Sequence, residues 1–213
     1  MGGSPRSTLF DSERFGRVPA AEWRQRAEAI ARRVHELCAD PAEPQASPLL
    51  RVRLALAALL GAASTAIHAL PAGAIDGDTG KSCLAALRRD IDNAVARATI
   101  GWIRTMHEPA VGRARIAYEA GRELAYLAVA PESRQTPDAV VDYAIAAAYG
   151  AARSLGRELA AMPASSSVQR LSTELDIEAD DAAQLITLTD DPWKLLVAAM
   201  AAIARGFPAG NAP

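Results

Sequence analysis

The sequence predicts an all-α protein: a single domain folded as an antiparallel bundle of six or seven helices. Three observations lead there. Apolar residues recur at spacings of three and four along nearly the whole chain, the period of an α-helix, and no run alternates polar and apolar as a strand would. Alanine fills 49 of the 213 positions, and it is both the best helix former and small enough to let helices pack closely. Proline, glycine and short capping residues then cut the chain into pieces of helix length. With half its residues apolar and 23% charged, the chain has an ordinary globular composition and can bury a core without a disulfide or metal staple.

The first helix is expected over residues 20–39. Trp23, Ile30, Val34 and Leu37 mark one face with Ala27 in the gap, while arginines and glutamates occupy the others. Asp40-Pro41 ends it. Ser47-Pro48 restarts the chain, serine as N-cap and proline at the first helical position. The second helix, to about Leu70, is apolar all round and belongs at the centre. Its charge-free stretch, residues 54–67, is short of the roughly 20 apolar residues a membrane span needs. A third helix is expected from Thr79 to His107, with Leu84, Leu87, Ile91, Val95, Ala98, Trp102 and Met106 as its stripe. A fourth follows Glu108-Pro109, with Ile116, Ala120, Leu124 and Leu127 facing the core. Thr136-Pro137 opens the fifth, which carries Val141, Ile145, Ala148, Ala152, Leu155 and Leu159 to Met162. Shorter helical pieces are expected over 168–175 and 180–188, and a last helix from Asp191-Pro192 to Arg205. The organisation is then an N-terminal arm over 1–19, the bundle over 20–206 and a flexible tail over 207–213.

Composition narrows the function. A net charge of -2 argues against a general nucleic-acid binder. The N-terminus has no apolar run of the signal-peptide kind, and two cysteines, Cys38 and Cys83, make no disulfide framework, so a reducing, cytoplasmic setting is expected. Two lysines against 21 arginines, with the alanine excess, have the bias of a GC-rich, bacterial-like coding sequence. Charge is uneven along the chain: residues 1–35 hold seven arginines against four acids, and residues 164–213 hold seven acids against three bases. A basic start and an acidic end can pair within one molecule, between copies or with a partner.

Few residue patterns carry chemistry. Gly77, Asp78, Thr79, Gly80, Lys81 and Ser82 resemble the end of a phosphate-binding loop. Ile75 stands where that motif needs glycine, and a helix rather than a strand precedes it, so the fragment suggests at most an anion site at a helix start. His35, His68 and His107 have no metal-pair spacing, and no metal or cofactor is expected. Asp176, Glu178, Asp180 and Asp181 fail the calcium-loop pattern and read as acids at a helix N-terminus. The segment 168–188 has the outline of a helix-turn-helix, but its second helix is acidic where DNA needs a base. Phe10 and Phe15, with Arg14 and Arg17, put apolar anchors into a polar arm and suggest docking onto a partner. The expected function is a non-enzymatic helical interaction module: an adaptor, an assembly subunit or a neutraliser of another protein, acting through a protein partner or self-association, with no nucleic acid and no membrane. The alternative is a small-molecule or nucleotide/phosphate binder using the 77–82 loop or a cavity left by alanines, or an enzyme whose site forms only in three dimensions.

Overall fold

A computed structural model describes residues 20–38, 47–69, 85–86, 88–98, 110–128, 137–163 and 167–205. The chain is all-α. Its helices are α1 (Ala20–Cys38), α2 (Pro48–Ala69), α3 (88–98), α4 (Ala110–Ala128), α5 (Pro137–Ala160), α6 (Ser167–Leu175), α7 (Ala179–Thr187) and α8 (Pro192–Arg205), with no strand among the described residues. Eight helices are counted among the described residues, against the six or seven expected. The break between the two short pieces expected over 168–175 and 180–188 falls at Asp176, whose φ of 53° is left-handed and cannot continue a helix. Ile177 N–H donates back to Ser172 O at 3.0 Å, and buried Ile177 closes the cap, the arrangement that usually ends a helix at glycine.

Capping chemistry accounts for the starts. Arg51 N–H donates to Ser47 O at 3.1 Å, placing Pro48 first in α2. Asp191 does the same for α8: its carbonyl accepts from Leu195 N–H at 2.9 Å and its carboxylate from Lys194 N–H at 3.2 Å. Residues 185–189, LITLT, have strand-like composition but form the end of α7 and the turn after it.

α2 is the central helix. Val52 and every residue from Leu54 to Ala63 are buried, and α2 packs chiefly on α4 and α5. It is long and apolar enough by composition to cross a membrane, and most of that stretch is buried inside the molecule, as in the core helix of a bundle. Its contact with α4 is set by two glycines. A Cβ on Gly61 would strike Tyr118 O, and a Cβ on Gly121 would strike Ala58 O, so each helix lays backbone on the other at the crossing. The approach is so close that α4 buries Ala114, Ala117 and Gly121. Ile116 of the expected stripe is therefore turned outward at 65% exposure, Ala120 is half-buried, and the side chains of Leu124 and Leu127 lie outside the described residues.

Not every pair of packed helices is antiparallel. Contacts between α1 and α5 climb together: Gly150 lies against Ala27, Glu28 pairs with Arg153 and Arg157, and His35 meets Glu158. The two helices run in the same direction. A short loop constrains only consecutive helices, and these are separated by about a hundred residues of chain, so packing alone chooses their sense.

The C-terminal helices are clipped on by arginine. Buried Arg53 of α2 donates to Glu174 O at 2.7 Å and pairs with the Glu174 carboxylate at 2.9 Å. Arg97 of α3 donates to Ile203 O at 2.7 Å, near the end of α8, and to both the carbonyl and the carboxylate of Asp176. Arg205 pairs with Asp181. Among the described residues the acidic end of the chain is thus matched by arginines of α2, α3 and α8, not by the basic first helix.

Candidate functional site

The described chemistry concentrates on the α1–α5 seam. Along α5, Gly150, Ser154 and Glu158 follow one another at intervals of four and form one stripe. Gly150 touches the backbone of α1 at Ala27 and the Ile30 side chain. With so small a residue at the contact the helices sit close, and Glu158, two turns on, is carried into the interior at 2% exposure. The end of α1, the start of α2 and the end of α5 meet there.

Glu158 has a hydrogen bond on one side and, on the other, an ion pair that is not a hydrogen bond, since Arg51 Nε has no hydrogen-bond partner among the described residues. His35 Nδ1–H donates to Oε1 at 2.7 Å, and Arg51 Nε lies 3.4 Å from Oε2. A buried carboxylate is strongly destabilising unless paired, and here the partners come from α1 and α2. Cys38, one turn after His35, is wholly buried. Burial pushes its thiol up to about 12; the Glu158 charge adds to the rise, and Arg51 and Arg113 oppose it. The influence of Arg113, in the first turn of α4, brings a fourth helix start to this end of the bundle. Ser154 is fully buried and its Oγ has no hydrogen-bond partner among the described residues.

The cluster gathers a histidine, a cysteine and a carboxylate, the residue types of a nucleophilic site, but its electrostatics point the other way. A catalytic cysteine needs a lowered thiol pKa, and this one is raised. The imidazole is oriented by a carboxylate, with its side chain 48% exposed, yet the thiol beside it stays protonated at neutral pH. No group of three or more metal-binding side chains lies together among the described residues. What the arrangement does well is clamp three helices at one end.

On the outer edge of the same seam lies a second cluster. Glu28 of α1 receives Arg153 NH1 at 2.7 Å on Oε2 and Arg157 NH2 at 2.8 Å on Oε1. The hydrogen bond from Arg157, and the charges of Arg153, Arg157 and Arg32, hold its carboxyl below the usual range against the opposing pull of burial.

Both sites expected from the sequence, the loop Gly77 to Ser82 and the arm with Phe10, Arg14, Phe15 and Arg17, lie outside the described residues. Of the histidines, His35 is the one drawn into a buried cluster; His68 pairs with Asp92 at 3.0 Å on the surface, and His107 lies outside the described residues. The acids at 176–181 do sit at the N-terminal side of α7, and two of them are tied to arginine. Glu158, Arg51 and the Glu28 arginines were not singled out by sequence reading. A signal existed for Glu158: on α5 the positions 147, 151 and 154 are small, and a glutamate that ends such a stripe is placed for burial. Compared with family models, with curated proteins and with solved structures, the chain matches none.

Proposed function

We propose that this chain is a non-enzymatic helical interaction module, an adaptor, assembly subunit or neutraliser of a partner protein. The observation that carries the reading is the state of Cys38. The buried cluster has the residue types of a reactive centre, but its thiol is pushed up to about 12, and its histidine and arginine are both engaged by Glu158. A site so built fixes helices in place; it does not attack a substrate. A bundle held rigid by such clamps presents its surface and its arm to partners.

The arm supplies the docking element in this reading, with Phe10 and Phe15 as anchors and Arg14 and Arg17 as salt-sensitive support. Light scattering after size-exclusion chromatography tests it, on the full chain and on a chain lacking residues 1–18, at low and high salt. Association should persist in high salt through the aromatic anchors and vanish on truncation, with the helical spectrum unchanged. A full-length chain that is monomeric at both salts and behaves like the truncated one removes the arm from the proposal.

A further inference from the structure

The α1–α5 seam holds more positive charge than its fold uses. Arg153 and Arg157 are four apart on α5, and like charges at that spacing repel. Their side chains are 45% and 40% exposed. Arg32 is exposed one turn beyond Glu28 on α1, where its charge acts on the same carboxylate, and it makes no ion pair of its own among the described residues. One carboxylate thus stands among three guanidiniums, each a planar fork of donors shaped for a carboxylate. Glu28 has two oxygens and each is used once. All three arginines are exposed.

We propose that this arginine seam is a docking surface for an acidic peptide segment of a partner protein, and that Glu28 is the internal competitor for it. A partner carboxylate would take the place that Glu28 holds between Arg153 and Arg157, with Arg32 as the third contact. The inference rests on the reading of the chain as an interaction module and gives that module a partner of defined chemistry. It does not depend on the arm, so the arm truncation and the test below can fail separately.

The test uses the full chain and a fluorescein-labelled hexaglutamate peptide, read by anisotropy at low ionic strength, with a single-stranded DNA oligonucleotide of equal charge as the comparison. Wild type should bind the peptide weakly. Glu28→Gln keeps the size of the side chain and removes the competing charge, and should tighten binding about three- to fivefold, the range of one exposed ion pair. Arg153→Ala with Arg157→Ala should lose binding while retaining the helical spectrum. The gain in Glu28→Gln cannot come from misfolding, so it is the deciding measurement. Binding that is unchanged or weaker in Glu28→Gln overturns the proposal, as does oligonucleotide binding equal to or tighter than that of the peptide.

Discussion

At the α2–α4 crossing, Gly61 and Gly121 let two backbones touch, and the atoms nearest each glycine are backbone atoms of Tyr118, Arg122 and Ala58. Along α1–α5, Gly150 allows a similar approach, but the seam continues into Glu158 and Glu28 and ends in ion pairs. The first contact is dry and its geometry is enforced by volume alone. The second is held at one end by a buried carboxylate with partners on two other helices. Dry contacts tolerate no added atoms. Polar ones tolerate some rearrangement but fix direction, because Glu28 meets Arg153 and Arg157 while His35 meets Glu158 only when α1 and α5 run together. The parallel sense of α1 and α5, which no loop imposes, is recorded in those pairs.

The largest expected effect breaks the dry crossing. Gly121→Val places a branched side chain against Ala58 O, where not even a Cβ fits. The helices must separate along the central element, at a cost of about 3 kcal/mol or more, and the variant should unfold early in a thermal melt. A melting temperature within a few degrees of wild type would show that the crossing is not that tight.

Breaking the polar end should cost less. Glu158→Ala leaves the His35 and Arg51 side chains without their carboxylate, but both are partly exposed and can turn to water. A loss of about 2–3 kcal/mol in denaturant unfolding is expected, at or below the low end for a buried pair. A double-mutant cycle with Arg51→Ala should give coupling, and strict additivity would count against the clamp.

Cys38 sharpens the same comparison chemically. In a Cys83→Ser background, alkylation by iodoacetamide near pH 8 should be blocked in the native state and appear only on unfolding, because the thiol is buried and pushed up to about 12. Rapid alkylation of the folded protein would contradict both the burial and the reading of the cluster as unreactive.

Two smaller effects lie at the edges. Asp176→Gly removes a left-handed aspartate at the end of α6 and gives up an ion pair to Arg97 from a side chain 86% exposed. Backbone relief of about 1 kcal/mol should outweigh the exposed pair, so this variant should be neutral to slightly stabilised, and a clear loss would mean that Arg97 depends on the carboxylate. The smallest concerns Glu28. Its carboxyl is held below the usual range in the folded chain, so over acid pH the unfolded chain binds more protons. Its contribution is present at neutral pH and is lost as pH falls through the folded value. At a partly exposed site screening keeps this under about 0.5 kcal/mol, and Glu28→Gln should flatten that part of the acid limb.

Local chemistry settled much of this architecture in advance. Ser47-Pro48 and Asp191-Pro192 mark helix starts because a cap and a fixed φ act over a few residues of chain. The burial of α2 follows from a segment with no polar face to turn to water. Other features were decided only by tertiary packing. Ile116 points outward because α2 comes too close for anything larger than alanine, and no periodicity on α4 reports how near its neighbour lies. The parallel pairing of α1 and α5, the burial of Glu158 and the convergence of Arg153 and Arg157 on Glu28 join residues more than a hundred positions apart. A helical pattern tells which face of a segment is apolar. Which segment that face meets, and in which direction, depends on side-chain volumes and charges supplied by the rest of the chain.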